Sequence, residues 1–359
     1  MNNLKKLGLS ALAGSLVAVS AQAGEMAVTG SANVTYVQKT GTHGTSIGTD
    51  KDVSFTGSGE LDNGWNFVVS TTLTDAYEVS SSYTSITMGS MGTVSFGADT
   101  GGASGKYDEE VPQAYEQTSD GQQNSANVVG NAMDSNMIVY NSPSFESNGA
   151  TVSYDLEYSP SSAGAAANDG GTAATGSSYE NGFGLGVTAK YDQATIGAYA
   201  TTRENTSANL NDLKTTGNDT FQDDFQMVGY AKYAMGPVSV GYSLSYHDSG
   251  LAGADEATTT AKVVNTALGI FEAESMSIAF NVNDNLSVSY TTTDDTYDMQ
   301  GGTGYVGTED VIQKTDAIQV AYSMGAMSIK AYSISTKKPG YDNDALDVSK
   351  SEVALGLSF

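Results

Sequence analysis

The chain has 359 residues, with 41 Asp or Glu against 15 Lys or Arg, a formal charge of −26 and no cysteine. That balance excludes a nucleic-acid binder, which needs cations to neutralise phosphates, and the missing cysteines exclude disulfides and thiolate metal centres. After Val19 no apolar run approaches the roughly 20 residues that a membrane-crossing helix needs, so a helical membrane protein is excluded as well.

The first element is a leader. Lys5 and Lys6 precede an apolar run from Leu7 to Val19, and Ala21-Gln22-Ala23 supplies a small-x-small cleavage site. This is the pattern of a secretory signal peptide. Cleavage is expected after Ala23, leaving 24–359 as one β-domain.

The rest reads as strands. Apolar and polar residues alternate with period two over segments of about ten residues. Sixteen are expected: 26–37, 51–61, 64–74, 83–90, 93–99, 136–142, 150–158, 181–191, 194–203, 223–235, 238–247, 274–282, 286–294, 313–324, 327–335 and 347–359. In "VSVGYSLSY", Val238, Val240, Tyr242, Leu244 and Tyr246 oppose Ser239, Gly241, Ser243 and Ser245. In "ATVSYDLEY", Val152, Tyr154, Leu156 and Tyr158 oppose Ser153, Asp155 and Glu157. The chain closes on "SEVALGLSF", which alternates to a terminal aromatic.

The connections alternate too. Tight turns such as Asp62-Asn63-Gly64, Asp192-Gln193, Gly236-Pro237 and Gly325-Ala326 interleave with long polar stretches around 38–51, 99–135, 159–180, 204–222, 248–262, 295–312 and 336–346. Short turns on one rim and long loops on the other are the pattern of an up-and-down membrane barrel. A barrel of sixteen strands is too wide for side chains to fill. The apolar face must therefore look outward to lipid, and the Ser, Thr, Gly and charged face must line water. Outward tyrosines such as Tyr36, Tyr154 and Tyr191 fit the aromatic girdles at a lipid–water boundary. The fold class expected is all-β, a 16-stranded antiparallel transmembrane barrel.

Catalytic and metal chemistry is sparse. His43 and His247 are far apart, and His247 and its neighbour Asp248 point to opposite sides of a strand, so they form no relay. No catalytic residue and no cofactor is expected. Asp223-Asp224 and Asp294-Asp295 could offer carboxylates to Ca²⁺, with solvated charge as the alternative.

With "GSANVTY" at 30–36, "GTVSFGADTGG" at 92–102, "VNDNLSVSY" at 282–290 and the terminal "ALGLSF", the chain resembles the trimeric general diffusion porins of Gram-negative outer membranes, the alpha-proteobacterial type above all. The resemblance implies passive diffusion of small hydrophilic solutes, a homotrimer, an outer-membrane location among lipid and lipopolysaccharide, and a last strand (Leu355, Leu357, Phe359) read by the barrel-assembly machinery. It also implies a long third loop, 101–135, folded into the lumen. Asp108, Glu109, Glu110, Glu116 and Asp120 of that loop would then line a constriction, facing basic wall residues. Family members usually carry several arginines on the early strands, whereas Arg203 is the only arginine here. Lys51, Lys190 and Arg203 are the wall cations expected, and with so few the lumen should be net negative and weakly cation-preferring. A substrate-selective channel and a plugged barrel acting as receptor or adhesin remain the alternatives.

Overall fold

The computed structural model describes residues 24–40, 45–75, 78–98, 103–118, 137–160, 179–205, 223–248, 270–298 and 310–359. Sixteen strands form the wall: β1 (Glu25–Lys39), β2 (Thr45–Glu60), β3 (Asn66–Leu73), β4 (Val79–Thr87), β5 (Thr93–Ala98), β6 (Met137–Asn141, resuming at Phe145–Ser147), β7 (Ala150–Ser159) and β8 (Tyr179–Tyr191). They continue as β9 (Ala194–Asn205), β10 (Asp224–Met235), β11 (Val238–Asp248), β12 (Ile270–Asn281), β13 (Leu286–Asp298), β14 (Val311–Met324), β15 (Met327–Lys337) and β16 (Val348–Ser358). Both pieces of β6 pair with β7, and they are one strand interrupted at Ser142-Pro143-Ser144. Pro143 has no N–H to give to a ladder, and the chain bulges there instead. Ser142 keeps the neighbours in register, its N–H reaching the Tyr154 carbonyl at 2.9 Å and its hydroxyl accepting the Tyr154 N–H at 2.8 Å.

Each strand is antiparallel to the next, and β1 also pairs with β16, so the sheet closes on itself. Closure leaves no row of unpaired backbone groups, the condition for a sheet in hydrocarbon. The C-terminus completes the seam. Phe359 N–H reaches the Gly30 carbonyl at 3.0 Å, and Gly30 N–H reaches the Phe359 carbonyl at 2.9 Å.

The expected elements fall where the alternation put them, with several differences in extent. β2 begins at Thr45, which leaves 40–44 as the connection to β1, and β12 begins at Ile270. The expected fourth strand ends at Thr87, because a 3₁₀ turn occupies Gly89–Met91. At the tight rim, Asp192, Gly236 and Gly325 open two-residue hairpin turns with φ of 51°, 60° and 60°. Such positive φ matches the twist of the flanking strands.

Register sorts the side chains. One face carries Met26, Val28, Val34 and Tyr36 of β1, Leu185 and Val187 of β8, Ile278 and Phe280 of β12, and Val353, Leu355 and Leu357 of β16, all exposed. The opposite face is small and polar and largely buried: Gln226, Ser243, Ser275, Ser289, Thr291, Thr293, Thr315 and Gln319. Tyr36, Tyr154 and Tyr191 lie on the apolar face. Tyr199, Tyr230, Tyr297 and Tyr332 point the other way and are buried, which the reading of tyrosine as an outer-face residue missed.

Candidate pore-lining site

Residues 103–118 follow β5 and lie against the polar face of the wall. At one end, Ala103 N–H and Ser104 N–H both donate to Glu157 Oε1, the latter at 2.9 Å. Glu157 and Asp155 stand two apart on β7, hence on one face. Asp155 accepts from the Lys106 ammonium at 2.7 Å, the Tyr107 hydroxyl at 2.8 Å and the Asn141 amide at 2.6 Å. The second Glu157 oxygen takes the Tyr199 hydroxyl at 2.6 Å. Two buried carboxylates thus have their lone pairs filled by donors, as burial of charge requires.

Tyr107 packs on Tyr199 (5.4 Å between ring centroids) and Tyr230 (6.3 Å). Its ring occupies the space above Gly186, where a Cβ would collide with it. Burial, then the neighbouring Asp155 carboxylate, holds the Tyr107 phenol well above its ordinary value. Further along, Pro112 sits over Gly241, and its carbonyl accepts the Ser277 hydroxyl. Ala114 N–H reaches Ser289 Oγ at 2.9 Å and Tyr115 N–H reaches Gln319 Oε1 at 2.8 Å. The Tyr115 hydroxyl donates to Glu352 Oε1 at 2.8 Å, and Tyr332 donates to the other oxygen at 3.0 Å. The Thr118 and Thr293 hydroxyls share a bond of 2.9 Å. The segment therefore bonds in turn to β7, β8, β10, β12, β13, β14 and β16, and none of its hydrogen bonds among the described residues goes to β1–β5.

The expected acids are distributed unevenly. Asp108 accepts the Gln117 amide at 3.2 Å, and Glu109 is 2 % exposed with its carboxylate receiving the Thr118 hydroxyl at 3.4 Å. Glu110 is paired with Lys232. The Glu116 carbonyl accepts from the Gln319 amide. Asp120 lies outside the described residues. Of the expected wall cations, Lys190 is on the polar face at the short-turn rim, in register with Thr151 and Thr195. Arg203 is on the same face, bound to Asp224 at 3.1 Å.

Lys51 is a correction. It registers with Ala32 and shares its face with Ile47, Val53 and Phe55, the outer one. The parity was visible in "KDVSF", since residues two and four apart point the same way.

A second buried group lies towards the long-loop end. Asp224 takes His247 Nε2 at 2.9 Å as well as Arg203. His247 stacks on Phe271 at 6.1 Å, and Phe271 meets Tyr297 at 4.9 Å and Tyr341 at 5.5 Å. Gly340 N–H donates to Gln313 Oε1 at 2.8 Å, tying the β15–β16 connection to the same face. His247, for which the sequence suggested no relay, faces inward here. Its odd-numbered neighbours Ser243 and Ser245, polar and two and four residues away, are the signal that it faces inward. Of the acid pairs considered for Ca²⁺, Asp294-Asp295 is split by the strand: Asp294 binds Lys314 at 3.0 Å on the outer face, while Asp295 is buried on the other. Among the described residues no group of three or more potential ligands is arranged for a metal ion.

A closed antiparallel barrel, apolar outside and polar within, is a transmembrane channel wall. The chain belongs to the Gram-negative porin family, whose model matches residues 8–358. It is an outer-membrane diffusion channel, a class without enzymatic chemistry. Three solved structures similar in fold are a porin refined at 1.8 Å, an anion-selective porin from Comamonas acidovorans, and the trimer form of OmpT, an outer-membrane protein of Vibrio cholerae. The first has a TM-score of 0.62 and 14% identity, covering 93% of this chain and 100% of its own. The second has 0.62 and 13%, covering 94% and 100%. The third has 0.59 and 11%, covering 94% and 100%. No curated protein matches the sequence.

Proposed function

We propose that the chain, exported with residues 1–23 removed, forms a water-filled passage for small hydrophilic solutes and ions that segment 103–118 narrows from within. The attachment of that segment to the polar faces of β7 through β16 is the observation that carries this reading. Because it hugs that arc, the described part of the segment leaves the side toward β1–β5 open. This favours a general pore over a plugged receptor. Weak cation preference follows from a polar face on which the cations are few and mostly bound to carboxylates.

A homotrimer is the assembly that suits the outer face of β2–β4. Thr49, Lys51, Thr71, Ser82 and Thr84 lie there, beside Gly57 and Gly59. An ammonium is costly against lipid, and a second copy would cover it. The test is conductance of residues 24–359 in planar bilayers. Current in three equal steps, with a cation-positive reversal potential, is expected; insertion without current would overturn the pore.

A further inference from the structure

We infer that the charge selecting ions in the lumen stands on β2, at Asp50 and Asp52, and not on segment 103–118. This rests on the channel reading above. Asp50 registers with Asn33 and Asp52 with Ser31, on the face opposite Ile47, Val53 and Phe55. Both are therefore on the polar face of the wall.

Most cations of the covered arc are bound to carboxylates, and its other acids Glu109, Glu157 and Asp295 are buried and take hydrogen bonds from neighbouring side chains. Lys106 is bound to Asp155, Arg203 and His247 to Asp224, Lys232 to Glu110 and Lys350 to Glu352. The Lys330 ammonium stands over the Tyr115 ring at 5.0 Å from its centroid. At the short-turn rim, Lys190 shares a register row with Thr151 and Glu146, so opposite charges sit close together there. Glu25 and Glu60 end their strands at that same mouth, in bulk water.

Asp50 and Asp52 differ on each count. They lie within the strand, and no cationic side chain among the described residues is within ion-pair distance. Among the described residues no hydrogen bond of 103–118 reaches their strand. Residues two apart on a strand stand about 7 Å from each other, inside a Debye length at physiological salt. The two carboxylates therefore act on a passing ion as one doubly negative patch. Asp50 of this patch is exposed, whereas Glu109, Glu157 and Asp295 of the opposite wall are buried, and hydrated cations are drawn along the β1–β3 side. The early strands, where basic residues were expected, carry the acids instead.

The experiment compares reversal potentials under a KCl gradient for the wild type, D50N/D52N, the smaller D50S/D52S, and E116Q, which removes a carboxylate of the segment itself. Folding of each is checked by heat-dependent gel mobility. The cation-to-anion permeability ratio is expected to fall about threefold in both β2 variants at 0.1 M salt and by less near ~1 M, where the Debye length is about 3 Å. E116Q should keep the wild-type ratio. The inference is overturned if the β2 variants keep that ratio, or if E116Q changes it as much. A silent wild type overturns the channel reading itself, and this inference with it.

Discussion

Tyr115 and Glu352 are 237 positions apart in sequence, and the tyrosine hydroxyl donates to the carboxylate at 2.8 Å. That bond joins the far part of segment 103–118 to the last strand, while Glu157 holds its near end on β7. The segment is therefore fixed at two places by carboxylates on the wall, with Lys232–Glu110 between them. Its position depends on those anchors more than on its own backbone, which contains one 3₁₀ turn, Ser104–Lys106.

Removing the near anchor should free the segment. Glu157→Ala leaves two backbone N–H groups and the Tyr199 hydroxyl without their acceptor, at about 1–3 kcal/mol for each group that stays buried and unpaired. Relief comes by the segment leaving the wall. Single-channel records should become noisier, and liposome swelling should admit larger sugars than the wild type. Unchanged size exclusion would mean that the segment is held elsewhere.

The far anchor predicts a smaller effect. Tyr115→Phe removes one charge-assisted hydrogen bond, worth about 1.5–3 kcal/mol, but keeps the ring against Tyr332, 5.7 Å between centroids. Conductance should stay near wild type, with more frequent brief fluctuations. Tyr115→Ala, which also loses the ring packing, should match Glu157→Ala in swelling assays.

Lys51→Leu separates the outer face from the lumen. Since Lys51 shares its face with Phe55 and Val53, its loss should leave the reversal potential unchanged. If that face meets another copy, the substitution should alter the heat stability of the oligomer on gels. A shift in ion selectivity would place the side chain in the pore after all.

Alkaline pH should loosen the near end. The Tyr107 phenol titrates above its ordinary value of 10 because burial and Asp155 disfavour the phenolate. A group raised on folding stabilises the anchored state fully below that ordinary value, and the contribution is lost as pH rises through and beyond it. Conductance should therefore be flat to about pH 10 and drift above it. Tyr107→Phe should remove part of that drift, and identical profiles for the two proteins would sink the idea.

Much of this was legible in sequence because period two is a local property. All sixteen wall strands were read from alternation, and so was the inward placement of Asp155 and Glu157, since one residue's side fixes every other on the strand. The terminal Val353, Leu355, Leu357 and Phe359 were legible for the same reason. Lys51 was misplaced although the same rule applied to it, because the strand was started at that residue and its parity with Val53 and Phe55 went unused.

Sequence by itself thus determined the strands, their two faces and the closed barrel, because each follows from alternation and from the need to pair every backbone group in lipid. Only the tertiary structure decided which charges meet. Nothing local links Glu110 to Lys232, Tyr115 to Glu352 or Asp224 to both Arg203 and His247, and their pairing depends on which strands the 103–118 segment crosses and at what register. The role proposed for Asp50 and Asp52 depends on the same thing, the described part of the segment bonding to the other side of the barrel.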